Sequence, residues 1–480
     1  MLDAADLSTE SKLWIGGDWV SPTGENYFDD LNPEDDSLYG RSAAGTPEDM
    51  IKAVDAANEA FQAYGSTTAK EREAWIMQAA EVMASMQDEF IAALIDEIGS
   101  PINKAMFEFN KALSMMRAAS GMARQVTGKT IPSDYPGRYS MSVRQPLGVV
   151  AAITPFNVPL IKGVRLTADP LAVGNTVVLL ASEFAPRISL LLAQVYEKAG
   201  IPAGAFNIVT GYGHEIGDSL TGHPDVPMVT FTGSSVVGQH INELCAKQKK
   251  RVTLELGGKS PFVVLADADL KKAVQAACHG IFIYQGQVCM GGSRIYVEEP
   301  LYHKFVETYA NAASNLGMGD LRSPDTMIGP IISERQRNRV RTHIEDARDK
   351  GANIVTGGEW LGNRCQPTIL TGVSEEMTVC REETFGPVTS VYKVDSYEEA
   401  LVKSNDSAYG LSSTIFTENL NKALHYAHNV SAGMCHVNAS PVHDEPHVPF
   451  GGNGESGVGR EGTEADIDAM TEWKWITIQS

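Results

Sequence analysis

A chain of 480 residues, 43% hydrophobic and 21% charged, is too long for one small core and too apolar for a disordered polymer, so at least two compact domains are expected. The formal net charge of -21, from 60 acidic against 39 basic residues, and the lack of a long Lys/Arg run exclude a nucleic-acid partner. No run of about 18 apolar residues occurs, and the opening residues 1–6 lack a basic segment followed by an apolar one, so neither membrane insertion nor secretion is signalled.

In chain order, Leu13 to Val20 alternates like a strand, and Pro47 to Ala118, rich in Ala, Met, Glu and Lys, reads as helix. From Val143 short β-branched or aliphatic runs alternate with helical stretches. The runs are Gly148 to Ile153, Thr176 to Leu180, Phe206 to Thr210 and Val229 to Thr232, a pattern that predicts a parallel α/β sheet. The first run stops at Thr154-Pro155-Phe156-Asn157-Val158, where Asn157 can aim its amide outward from the carboxyl edge of the sheet or simply form a turn. Thr210-Gly211-Tyr212-Gly213 and Phe231-Thr232-Gly233-Ser234-Ser235 follow strands and precede helices. Their backbone N–H groups suit a phosphate and Ser234 suits a helix cap, although neither has GxGxxG spacing and such turns join many α/β units.

A second alternating region runs from Val252 to about Val437, with strands expected at Pro261 to Leu265, Ser293 to Val297, Thr389 to Tyr392 and Leu411 to Phe416. It opens on Val252-Thr253-Leu254-Glu255-Leu256-Gly257-Gly258, an apolar strand with one carboxylate. If buried, Glu255 gains the raised pKa of a general base; on an edge strand it is merely solvated, and alternation does not decide between the two. Cys289 lies in Gln285-Gly286-Gln287-Val288-Cys289-Met290, where a glycine turn can present a nucleophilic sulfur, though a buried structural thiol is the other outcome. The remaining cysteines, 245, 278, 365, 380 and 435, show no disulfide spacing and no CxxC pair, which fits reduced thiols in a cytoplasmic protein. The closing strand Lys474 to Gln479 has no obvious local partner and is expected to join another sheet or another subunit.

Taken together and in this order, these segments resemble the aldehyde dehydrogenase superfamily from Ile15-Gly16-Gly17 to the final strand, nearly the whole chain. The resemblance adds Glu382-Glu383-Thr384-Phe385-Gly386-Pro387-Val388, Pro449-Phe450-Gly451-Gly452 and Ser456-Gly457. It implies an α/β fold with a Rossmann-like cofactor domain (1–123 and 140–251), a catalytic α/β domain (252–438) and a small β oligomerisation arm (124–139 and 460–480), assembled as a homodimer or homotetramer. The implied reaction oxidises an aldehyde to the acid through a thiohemiacetal and a thioester on Cys289. Asn157 and the Cys289 N–H would hold the oxyanion, and Glu255 would activate water. NAD, with NADP as the alternative, would be bound by Thr154, Pro155, Phe156, Leu180, Ser182, Glu183, Gly213, Phe231, Ser234, Gly257, Glu383 and Phe385, and no metal is expected. Glu383 and Phe385 would meet the nicotinamide ribose and ring.

Two departures stand out. Leu180 replaces the family's usual lysine in the adenosine-ribose segment, removing a charged donor worth about 1.5 to 3 kcal/mol; Glu183 remains to bind ribose hydroxyls and repel a 2′-phosphate, which favours NAD. Tyr284 stands where many relatives carry Asn, with only a local packing change expected. Lys162-Gly163-Val164-Arg165 and the C-terminal Glu472 to Gln479 are similar to the branch acting on benzaldehyde, vanillin and salicylaldehyde. Val158, Ile161, Arg165, Ile283, Val288, Met290 and Phe450 would then line an apolar substrate tunnel, with Arg165 either orienting a polar ring substituent or ion-paired. The competing expectations are an aliphatic or semialdehyde substrate, acyl transfer to coenzyme A, against which Glu255 argues, and a catalytically silent relative.

Overall fold

The computed structural model describes residues 10–480, so the opening residues 1–6 read for a leader lie outside the described residues. β-branched and aliphatic runs set the first sheet. Phe206–Val209, Thr176–Leu180, Val149–Ile153, Met228–Thr232 and Arg251–Glu255 lie side by side in that order, all parallel. Every residue of Thr176–Leu180 is buried, because helices cover both faces, among them Pro47–Tyr64 and Pro159–Ala172. The sheet ends in antiparallel strands: the hairpin Leu13–Ile15 and Asp18–Val20 on one side and Gly457–Val458 on the other.

The helical expectation for Pro47 to Ala118 resolves into Pro47–Tyr64, Ala69–Ser85, Gln87–Asp96 and Ile102–Met122. Thr46 and Thr68 begin the first two with reciprocal side-chain caps to Asp49 and Glu71. The hairpin Tyr27–Asn32 and Ser37–Ala43 was not anticipated, since its polar strands lack a clear alternation.

Strand Arg251–Glu255, placed by texture at the head of the second region, instead pairs within the first sheet, Thr232 opposite Glu255 and Gly457 beyond it. The chain changes sheet after Glu255. A seven-stranded sheet follows, in the order Asn353–Thr356, Thr368–Thr371, Val388–Val394, Arg294–Glu298, Pro261–Val264, Thr414–Phe416 and His436–Val437, with only the first strand antiparallel to its neighbour. The segment 256–260 leaves the carboxyl end of one sheet and enters the amino end of the other, so the two strand edges face each other across that turn. Loops preceding Arg294–Glu298 and Val388–Val394 open onto the same edge.

The last strand, Thr471–Gln479, does have a partner in its own chain: it runs antiparallel to Arg138–Pro146, which also pairs with Lys129–Thr130. The pairing was not evident from the sequence because the partner strand lies more than three hundred positions away. Among the described residues no helix is long and apolar enough to cross a membrane.

Candidate active site

Helix Leu270–Phe282 is followed by three consecutive residues in the left-handed region, Tyr284 (φ 59°), Gln285 (φ 57°) and Gly286 (φ 72°). This turn reverses the chain toward Cys289. Its side chains anchor it: Gln285 Nε2 donates to the carbonyls of Gly99 (3.1 Å) and Pro330 (3.2 Å), and the Ile332 N–H donates to Gln287 Oε1 (3.1 Å). A side chain at Gly258 would strike the Cys289 carbonyl, so the Gly257-Gly258 pair lets two backbones touch.

Cys289 keeps partial exposure, unlike buried Cys245 and Cys365, and all six thiols are free. Burial pushes its thiol up to about 12, Lys162 opposing and Glu383 and Glu255 adding to the rise. Its proton must therefore pass to a base or to water, with the Lys162 charge favouring the thiolate. The Asn157 amide is delivered to the same loop, Nδ2 donating to the Gln287 carbonyl at 2.8 Å.

Glu255 ends its strand with both carboxylate oxygens buried and without a hydrogen-bond partner. Burial, reinforced by Glu461, raises its pKa well above the ordinary carboxylate value, while Lys162, Arg165 and Arg460 pull it down. A Cβ on Gly451 would come within 2.5 Å of Glu255 Oε1, so the Pro449 to Gly452 turn closes over this carboxylate. On the other side of Gly257-Gly258, Glu383 Oε1 accepts the Gly258 N–H at 3.0 Å, and burial pushes its pKa up to about 7.

The residues expected to hold a dinucleotide gather along the carboxyl edge of the first sheet. Thr154 and Thr232, at the ends of adjacent parallel strands, bury hydroxyls that have no partner. Gly213 begins helix Gly213–Thr221 with open space where a Cβ would lie, and Ser234 caps helix Ser235–Gln248 through the Val237 N–H. Phe156, beyond Pro155, meets Phe385 edge-on at 5.8 Å and Phe184 at 5.9 Å, and Phe231 is buried beside Gly233. Ser182 accepts the Phe184 N–H, next to half-buried Glu183. Leu180 is buried in an apolar cluster with Val178, Val209, Ile216 and Leu220, the last two on the helix that Gly213 begins. Orphaned hydroxyls, open glycine and helix start fit a phosphate-bearing dinucleotide.

Of the residues expected to line a tunnel, Val288 and Met290 flank Cys289, Ile161 and Phe450 are buried, and Val158 and Ile283 are half-buried. Arg165 lies over the Phe450 ring, 5.7 Å from its centroid, and is ion-paired: Nη1 binds Asp444 at 2.7 Å and lies 3.6 Å from Glu461, and Nη2 donates to the Glu445 carbonyl. Its side chain is 1% exposed, so the ion-paired alternative is the one found. Sequence reasoning missed Lys162 as a partner of Glu461 (2.6 Å), and it missed Gln336 and Arg339, which donate to the backbone carbonyls of Glu383, Thr384 and Phe385, and His343, which pairs with the Thr384 hydroxyl. No local signal marks these residues, because each contact joins segments far apart in the chain.

A model of the aldehyde dehydrogenase family matches residues 19–476. Vanillin dehydrogenase of Pseudomonas fluorescens is 41% identical over 471 residues, covering 98% of each chain. The crystal structure of a salicylaldehyde dehydrogenase from Pseudomonas putida G7 complexed with salicylaldehyde is 37% identical, with a TM-score of 0.96 over 98% of both chains. An NAD+ complex of an aldehyde dehydrogenase from Bacillus cereus is 34% identical, with a TM-score of 0.96 over 98% of this chain and 97% of that one.

Proposed function

The chain belongs to the aldehyde dehydrogenase family, and from that membership we propose that Cys289, Asn157 and Glu255 oxidise an aromatic aldehyde to its carboxylic acid with a nicotinamide dinucleotide. Glu255 carries this reading: a buried, unpaired carboxylate with a raised pKa, one turn from the backbone that touches Cys289, is the arrangement a water-activating base requires.

Cys289, ionised beside Lys162 with its proton lost to solvent, adds its sulfur to the aldehyde carbon, and the carbonyl electrons move to oxygen. The Asn157 amide and the Cys289 N–H donate to that oxygen, the amide exchanging its present acceptor, the Gln287 carbonyl, for the oxyanion. A nicotinamide dinucleotide held beside Glu383 and Phe385 would supply the hydride acceptor for oxidising the thiohemiacetal on Cys289 to the thioester. Glu255 then takes a proton from water, the hydroxide oxygen adds to the thioester carbon, the C–S bond breaks, and acid leaves as the Cys289 thiolate is restored.

Thr154, Thr232, Ser182, Glu183, Gly213 and Ser234 would hold the adenosine and phosphate portion, with Pro155, Phe156, Phe231, Gly257, Glu383 and Phe385 toward the nicotinamide. Leu180 offers no cation to a 2′-phosphate and Glu183 repels one, which supports NAD over NADP. Val158, Ile161, Ile283, Val288, Met290 and Phe450 form the apolar wall suited to a ring. The reading includes a homodimer or homotetramer in the cytoplasm, consistent with six unpaired thiols.

The test is dinucleotide reduction with benzaldehyde, vanillin and hexanal, using NAD and NADP, beside Cys289→Ala. Higher specificity constants for the aryl aldehydes and for NAD, and loss of turnover in Cys289→Ala, are expected. A clear preference for hexanal removes the aryl assignment, a preference for NADP removes the cofactor assignment, and an active alanine variant refutes the thioester route.

A further inference from the structure

Tyr284 occupies a backbone conformation that bulky side chains avoid, at φ 59°, and is nevertheless buried. Its ring lies under a buried ammonium: Lys104 Nζ is 4.8 Å from the ring centroid. The same Nζ donates to Glu108 Oε2 at 2.6 Å and to the Asn157 carbonyl at 2.9 Å. An ammonium has three N–H donors, so two oxygens and one aromatic face account for all of them. Glu108 is in turn fixed, its Oε1 accepting the Leu160 N–H at 3.0 Å at the start of the helix that follows Asn157.

These contacts form a closed path. From Asn157 it runs through Lys104 to Tyr284, along the left-handed turn to Gln287, whose N–H donates to the Tyr284 carbonyl at 3.0 Å, and back to Asn157 through the amide on the Gln287 carbonyl. Both oxyanion donors lie on or next to this path: the Asn157 amide is part of it, and Cys289 is two residues beyond Gln287. A sliding Lys104 would shift the Asn157 main chain, and the aromatic face closes the side of the ammonium that no oxygen covers.

We propose that Tyr284 is a positioning residue for the oxyanion donors, its ring seating Lys104 and, through Lys104, the Asn157 backbone. This rests on the reading of Asn157 as oxyanion donor. The packing change expected from the sequence at Tyr284 becomes a link between the two halves of the site.

The experiment measures the pre-steady-state burst of NADH with the fastest aldehyde of the panel in Tyr284→Leu, Tyr284→Phe, Lys104→Met and the Leu/Met double variant. NAD binding by tryptophan fluorescence and Cys289 alkylation by iodoacetamide serve as controls. Leu and Phe meet the same backbone strain as Tyr, and Phe keeps the aromatic face that Leu lacks. The expected result is a burst about tenfold to thirtyfold slower in Tyr284→Leu, with NAD binding and alkylation unchanged. Tyr284→Phe is expected to recover most of the lost rate, and the double variant to be no slower than Lys104→Met. A parental burst in Tyr284→Leu, equal losses in Leu and Phe, multiplying losses in the double variant, or a loss of NAD binding or alkylation in Tyr284→Leu each overturn it. Asn157→Ala separates the two levels: parental turnover there refutes the oxyanion reading itself, whereas an inactive Asn157→Ala beside a fully active Tyr284→Leu refutes only the role of Tyr284.

Discussion

Glu255 must be a weak acid when a proton arrives and a base when water must be split, and its surroundings tune it between Glu461, which raises its pKa, and Lys162 and Arg165, which lower it. Because burial favours the neutral form, the base form appears only as pH rises through the elevated pKa, and hydrolysis of the thioester should accelerate along that limb. Glu255→Gln should remove the pH limb and slow steady-state turnover about a hundredfold or more, while leaving a single-turnover burst of NADH. Stopped-flow absorbance against pH tests this, and a variant that keeps both the turnover and its pH limb excludes Glu255 as the base. Glu255 was only half legible because its strand is buried on both faces, where alternation carries no information about which side meets solvent. Cys289 was visible through its glycine turn, but the charges around it were not: Lys162 and Glu461 meet across 299 positions, and whether Arg165 was free or paired depended on Asp444, as distant again. Such pairs are created by folding and leave no trace in local spacing.

Helix Glu334–Asp349 turns one face, Gln336, Arg339 and His343, toward the segment that bears Glu383 and Phe385. Gln336 Nε2 donates to the carbonyls of Thr384 and Phe385, both at 2.9 Å, Arg339 donates twice to the Glu383 carbonyl, and His343 Nδ1 pairs with Thr384 Oγ1 at 3.0 Å. Burial drops the His343 pKa to about 4, so the ring stays neutral through the working range and its bond to Thr384 does not switch with pH. Phe385, at φ 55°, is held in a strained conformation that Gln336 fixes from behind. Gln336→Leu leaves two carbonyls without their donor, a cost of about 1 to 3 kcal/mol, and should weaken NAD binding about tenfold. Fluorescence titration measures it, and an unchanged dissociation constant would show that the loop orders itself without the helix. In this region the sequence signals only strands and singles out neither the helix nor its gripping face, whose polar residues look like any solvated surface. Among strands, Thr176–Leu180 matches its predicted limits, because β-branched burial is local, whereas the membership of Arg251–Glu255 in the first sheet depends on non-local pairing with Met228–Thr232.

The three-stranded sheet of Lys129–Thr130, Arg138–Pro146 and Thr471–Gln479 stands outside both large sheets. Thr471–Gln479 pairs along its whole length with Arg138–Pro146, but among the described residues its other edge has no strand partner, and a long open strand edge carrying Trp473, Trp475, Ile476 and Ile478 is a template for further association. Tyr139 and Ile478 face each other in register and are 71% and 54% exposed, so the arm carries apolar surface that its own chain leaves open. A second copy of the chain is the occupant our reading assigns to it. Truncating the strand would also remove the ion pair between Arg251 and Glu472, which ties the arm to the first sheet, so a subtler change isolates the surface. Tyr139→Lys with Ile478→Glu replaces an apolar cross-strand pair by an oppositely charged one, preserving the pairing within the chain while making the face polar. The parental protein should scatter light as a dimer or tetramer and the double variant as a smaller species, with NAD binding retained because the cofactor residues lie on another sheet. Equal masses for the two proteins would place the subunit contact elsewhere. A monomeric parent would leave Cys289, Asn157 and Glu255 as a site complete within one chain.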